Sequence, residues 1–336
     1  MDTIFDCLET SLAYDTHKAD YTETARNLHF DDRSHLVVPQ QLFGEVPPLE
    51  PTTWAWGQIF SKLGPTVYGK GSQKVLPSDY LMAIPPQLRA INLNDHQQRM
   101  NGAVWLVRSY DDACRAVLSD GFTTIGNTEI LDVLAGVVEQ NQTPDFKLVR
   151  PSVRPDEVNI KSVWKNVRKP GGDYGIGVYV GNGEIGNRKL RIYPIVQRHS
   201  CTNSIIVEHD KGIEFVHRGN KFTKMVQIKS IIAELFGLAA EVLERMIAAE
   251  NEAIPRFTDV LAGLAAHYGW DDQTYTTVAV GTEGRDTRAG LVNGITFAAH
   301  ALEREPAEQA DMEILGGRIL MAPDSLFHKM AQSVRK

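Results

Sequence analysis

Residues 177–207 read GVYVGNGEIGNRKLRIYPIVQRHSCTNSIIV, and their alternation decides the fold. Side chains alternate across a strand, so every second residue shares a face. The first strand then points Ile176, Val178 and Val180 to one side and Gly175, Gly177 and Tyr179 to the other. Gly and Asn at 181–187 supply the turn. In the return strand Leu190, Ile192, Pro194, Val196 and Arg198 form the inner set. Lys189, Arg191, Tyr193, Ile195, Gln197 and His199 form the outer one. An outer face of cations, aromatics and small glycines is a candidate surface for a single nucleic-acid strand, held by base stacking and phosphate neutralisation. A solvated sheet face is also polar, so the face alone leaves both readings open.

Working outward, IKSVWKNVRKPGG (160–172) interleaves Lys161, Lys165, Arg168 and Lys169 with Trp164, a pattern common in nucleic-acid binders. Prolines at both ends of the wider segment and the closing Pro-Gly-Gly predict a basic loop beside the sheet. Downstream the strands continue over about 203–208 and 212–217, and then the period changes from two to 3.6. Ile228, Ile231, Ile232, Leu235, Ala239, Val242 and Met246 mark a long helix. FTDVLAGLAAHYG, RAGLVNGITFAAHALERE and the C-terminus add further helices.

Upstream, WAWGQIFSKLG after Thr53, LPSDYLMAIPPQLRAINLNDHQQ broken at Pro85-Pro86, and TEILDVLAGVVEQ read as helices. NGAVWLVRSY reads as a strand. SYDDACRAVLSDGF reads as a short helix from Ser109, with Asp111-Asp112 at its N-terminus. Residues 1–48, polar and then Pro-rich, read as an arm or extended segment. The strands are too closely spaced for crossovers, so the class is α+β. An antiparallel β-meander (about 174–217) packs on a long helix (about 226–252), flanked by N- and C-terminal helices, in a single large domain over 49–336.

Charge is unevenly distributed. The 336 residues carry a net charge of -7, which gives no global attraction to a polyanion. Yet 146–224 hold 15 Lys plus Arg against 7 Asp plus Glu, and 241–313 hold 5 against 14. The acidic helical part (225–336) would suit a neighbouring copy's basic middle, which favours a homo-oligomer. Three scattered cysteines argue against a disulfide framework. MDTIFDCLET lacks the basic and apolar regions of a signal peptide, and no apolar run reaches about 18 residues. A cytoplasmic protein with no membrane span is expected. His199 and Cys201 make no metal site by themselves, and no metal or cofactor is expected. GGDYGIGVYVGNGEIG lacks the Lys-Ser/Thr of a phosphate loop. Glu184 sits in a turn that it would organise through backbone N–H groups, so it is no obvious general acid.

ACRAVLSDGFTTIGNTEIL, YGIGVYVGNGEIGNRKLRIYPIVQRHSCTNSIIV and GLVNGITFAAHALE resemble phage and plasmid proteins carrying domain of unknown function 932. The resemblance covers roughly residues 50 to 330. The family's form is approximately G-x-x-x-x-N-S-E-x-G, then a strand and R-x-x-C-x-N-G. Asn182, Glu184, Gly186, Arg198, Cys201 and Asn203 occupy those places, and Asn127 and Glu129 match a polar pair after ACRAVLSDGF. Gly183 stands where Ser is usual and Ser204 where Gly is usual, so no Ser nucleophile is available at the first. The resemblance implies a cytoplasmic protein of a mobile element and adds no reaction. The hairpins followed by a long helix also resemble the core order of RecT and Redβ type annealing proteins. A single-stranded DNA binding or annealing protein of recombination is therefore the first expectation. An assembly or inhibitor protein, and a nucleic-acid or nucleotide enzyme, are the alternatives.

Overall fold

The computed structural model describes residues 3–39, 46–62, 67–68, 74–75, 77–100, 102–141, 144–169, 172–199, 204–208 and 212–334. The fold is α+β. It opens with α1 (Ile4–Asp15), β1 (Lys18–Thr24), β2 (His29–Phe30), β3 (Leu36–Val37), β4 (Glu50–Pro51) and α2 (Thr53–Lys62). Then come β5 (Val67–Tyr68), β6 (Lys74–Val75), α3 (Pro77–Ala83), α4 (Pro86–Gln98), β7 (Val104–Tyr110) and β8 (Ala113–Ser119). After α5 (Asn127–Asn141) follow β9 (Lys147–Leu148), β10 (Ser152–Val153), β11 (Glu157–Lys169), β12 (Gly172–Gly183), β13 (Leu190–Arg198), β14 (Ser204–Ile206) and β15 (Ile213–Phe215). The C-terminal part is helical: α6 (Lys221–Ala249), α7 (Phe257–Tyr268), α8 (Asp272–Gly281), α9 (Arg288–Ala301), α10 (Pro306–Met321) and α11 (Asp324–Ser333).

The expected meander is the centre of the larger sheet, ordered β10-β11-β12-β13-β14, with β9 on β11 and β15 on β13. Every pairing in it is antiparallel. Tyr179 faces Tyr193 and Gly177 faces Ile195 across β12 and β13. The inner set is as read: Val178, Val180, Leu190 and Ile192 pack with Ile228, Ile232 and Leu235 of α6. Asn220 caps α6, its Oδ1 accepting from the Thr223 N–H at 3.0 Å. The helix thus begins at 221, one turn before the expected start.

The other face of the sheet is not outward. Tyr179, Tyr193, Ile195 and Ile206 pack beneath Ala310 and Ile314 of α10. Gly317 lets α10 approach so closely that a Cβ there would lie 2.1 Å from the Ile206 carbonyl oxygen. The space over Gly181 is filled by the ring of Tyr179 itself. The run IYPIV (192–196) is apolar at every position because both sheet faces are covered.

Three further expectations are corrected. The basic stretch 157–169 is no loop: β11 runs as a long strand paired to β12 from Glu157↔Gly183 to Lys169↔Gly172. Residues 109–119 are a hairpin rather than a helix. Asp111 turns the chain with φ 47° and β8 pairs with β7. Ser109 through Leu118 are mostly buried on both faces, which removed the alternation that marks a strand. The described part of the N-terminal segment, 3–39 and 46–48, packs on the body rather than standing off as an arm. β1 pairs with β7 from Lys18↔Tyr110 to Thr24↔Val104, in a second sheet ordered β1-β7-β8-β4. Ile4 and Cys7 of α1 pack with Leu131 and Leu134 of α5. Ala25, Leu28, Phe30, Leu36 and Val38 are buried, though set among polar residues in the chain. Among the described residues, no helix is long and apolar enough to cross a membrane.

Candidate nucleic-acid interface

The turn between β12 and β13 is the junction of the two sheets. Gly186 takes φ 76°, and a Cβ there would lie 2.9 Å from Leu118, so glycine is needed for both conformation and space. A Cβ at Gly183 would meet Asn187 Oδ1 at 2.2 Å. The Ser of the family form would therefore displace the Asn187 side chain here. Trp54 Nε1 and Gln58 Nε2 both donate to the Ile185 carbonyl, at 3.0 and 2.9 Å. Arg108 Nη1 donates to the Glu184 carbonyl.

The Glu184 carboxylate is buried on one side of this turn. It accepts from the Asn127 backbone N–H at the start of α5, at 2.6 Å. Lys18 Nζ lies 2.9 Å from one of its oxygens, with Arg115 at 3.6 Å and Arg108 at 3.9 Å. Asn182 Nδ2 donates to Asn127 Oδ1 at 2.9 Å and to the Ile125 carbonyl at 3.1 Å. Four family-motif residues, Asn127, Asn182, Glu184 and Gly186, thus meet at one junction. A carboxylate matched by three cations and a helix N-terminus is an electrostatic tie between chain segments. Lys18, Arg108 and Arg115 come from distant strands and carried no sequence signal. Arg198 lies apart, 3.6 Å from Glu250 and over the Tyr174 ring. Cys201 and Asn203 lie outside the described residues.

On the other side of the turn opens a cleft of about 440 Å³. Its walls are the end of α2, the 186–189 turn and residues 216–218 after β15, and Val117 and Leu118 are part of its lining. Lys62, Arg188, Lys189 and Arg218 line it, and no carboxylate does. Arg188 is braced by Asp311 at 2.8 Å and Lys189 by Glu214 at 2.5 Å. Among the described residues, no carboxylate lies within ion-pair distance of Lys62 or Arg218. Lys62 is half-buried, and burial lowers its pKa despite Asp120 nearby. A partly desolvated ammonium with no carboxylate in ion-pair contact favours a bound anion. Phe122 stacks on the ring of His217, centroids 4.9 Å apart and 9° from parallel. His217 Nδ1 donates to the Thr123 carbonyl at 3.2 Å, and burial holds its pKa down.

The residues first expected to bind a strand are mostly elsewhere. Lys161 is buried and bonded to both Glu313 oxygens at 3.1 and 3.0 Å. Trp164 is buried at a bulge in β11, its Nε1 donating to Ser162 Oγ at 2.8 Å. Tyr179 is buried and donates to Asn159 Oδ1 at 2.8 Å, and Tyr193 is buried beneath α10. Arg191 pairs with Asp311 at 2.8 Å and Lys169 with Glu244 at 2.6 Å. Lys165, Arg168 and His199 are exposed, and Arg168 pairs with Asp173 at 2.9 Å. These lie toward the far end of β12, roughly 23–33 Å from the turn at 3.3 Å per residue. Of the expected set, only Lys189 lines the cleft. Lys62, Phe122, Arg188, His217 and Arg218 were missed. The string HRGNK (217–221) and the Arg-Lys after the Gly/Asn turn were the available signals, and Lys62 had none.

No group of three or more His, Cys, Asp or Glu among the described residues is placed to hold a metal ion. No family model matches the chain, and no curated protein or solved structure matches it at significance.

Proposed function

We propose that this protein binds single-stranded nucleic acid through the cleft beside the 186–189 turn, as a phage- or plasmid-type protein of the domain of unknown function 932 kind. One observation carries the reading: the cleft gathers four cations and no carboxylate, and for two of those cations no carboxylate lies within ion-pair distance among the described residues. Phosphates of a strand supply the missing charge. Strand annealing in recombination is the activity such binding would serve. Self-association belongs to the same proposal and rests on a different surface. Tyr80, Met82, Leu88 and Ile91 of α3 and α4 are all more than two-fifths exposed. Ile91→Glu should shift sedimentation toward the monomer, and an unchanged profile removes that surface from the proposal.

The test is fluorescence anisotropy of a labelled single-stranded oligonucleotide across a salt series. Affinity should fall steeply with salt, and Lys62→Glu with Arg218→Glu should abolish binding at physiological salt while thermal stability stays unchanged. Replacing both by neutral Gln should flatten the slope of log K against log salt by about 1.4, near 0.7 per lost phosphate contact. No binding by the wild type at low salt, or full binding by the charge-reversed variant, overturns the proposal.

A further inference from the structure

Phe222 is 77% exposed in the first turn of α6, the most exposed of the large apolar side chains among the described residues. Folding gains almost nothing from an aromatic ring in that position. Arg218 of the cleft wall lies four residues before it and Lys224 two after, while Lys221 beside it is paired with Glu129 at 2.7 Å. The wall and the helix start are one piece. Lys224 Nζ donates to the Val216 carbonyl at 2.5 Å and to that of Arg218, so the cleft wall is clamped to the first turn of α6. Thr123 Oγ1 donates to the Gly219 carbonyl at 2.7 Å and fixes the same loop from the side of Phe122. Val226, one helical turn on from Phe222, is 56% exposed and extends the apolar strip.

We infer that Phe222 is a stacking platform for an unpaired base of a strand whose phosphates sit in the adjoining cleft. This rests on the proposed function and adds the contact that would select single strands over duplexes, because a paired base offers no free face to the ring. Continuity with the cationic cleft favours a nucleobase here over an apolar protein segment. A docked apolar segment would leave Arg218 and Lys62 of the cleft without a counter-charge, which the phosphates of a strand supply.

The experiment compares a labelled dodecamer of deoxythymidine with an abasic dodecamer of the same backbone, for the wild type, Phe222→Ala and Phe222→Trp. The wild type should prefer the thymidine strand. Phe222→Ala should weaken that strand about tenfold or more, as loss of one base–aromatic stack does, and leave the abasic strand unchanged. Phe222→Trp should retain the preference. Equal weakening of both strands means that the cleft itself was disturbed and overturns the platform. No change for either strand also overturns it, while the cleft reading stands. If the wild type binds neither strand, the cleft reading has failed and the platform fails with it.

Discussion

Two groups of cations on this molecule have different fates. Those on the strands beneath and around α10 are matched. Arg154 meets Glu305, Lys161 meets Glu313, Lys169 meets Glu244, Arg188 and Arg191 share Asp311, and Arg198 faces Glu250. Six cations of the basic middle therefore meet carboxylates of the acidic C-terminal part within one chain. Those at the cleft include Lys62 and Arg218, which have no carboxylate within ion-pair distance among the described residues. The difference teaches that a count of charges along a sequence measures available cations, whereas binding depends on unmatched ones.

The sharpest way to break this comparison is to unmatch a buried carboxylate. Glu184→Gln leaves Lys18, Arg108 and Arg115 facing a neutral amide at the junction of the two sheets, each still paired with a second carboxylate, Asp15, Asp20 and Asp156. We expect a loss of about 3 kcal/mol in denaturant unfolding, at the low end for broken buried pairs. A loss below about 1 kcal/mol would mean that the junction is hydrated, and that Glu184 is held for chemistry rather than for structure.

Glu313→Gln is the parallel test beneath α10, where one ammonium, that of Lys161, loses its carboxylate. Glu313 accepts from Lys161, from His300 Nε2 at 2.8 Å and from the Ser204 N–H at 3.2 Å. Burial alone would raise its pKa, but Lys161 and His300 together hold it below the ordinary value. A depressed folded pKa gives stability that is present above the ordinary carboxylate range and is lost as pH falls through the folded value. Urea midpoints measured between neutral and acid pH should therefore converge for wild type and Glu313→Gln as the pH falls. A constant gap between them would show that the bonds, rather than the charge, hold α10 down.

These two carboxylates also show what the sequence made legible. Alternation in β12 and β13 and the 3.6 period of α6 are local, so the strand order, the inner face and the long helix were readable. Whether a second layer covers the other face is decided by residues about 120 positions away, Ala310, Asp311 and Ile314. The signal that remained was the unbroken IYPIV run, which a half-exposed strand would not carry. The same limit hid the site. Asn182, Glu184 and Gly186 were singled out by resemblance, but their partners come from β1, β7 and β8. Lys62 reaches the cleft only because Gln58, one turn earlier on α2, is bonded to the Ile185 carbonyl.

The smallest expected effect falls on the residue that the strand pattern first recommended. Arg191 is half-buried at the edge of α10, and Asp311 keeps Arg188 when Arg191 is removed. Arg191→Ala should therefore cost no more than about 1 kcal/mol. It should also leave affinity for the single strand unchanged, since Arg191 does not line the cleft. The variant separates the matched face from the unmatched cleft more cleanly than any charge reversal, because it adds no repulsion of its own. A tenfold loss of affinity would place the strand across β13. To get there, α10 would have to lift off Tyr193 and Ile195, so the affinity of Arg191→Ala reads directly which side of the turn the phosphates occupy.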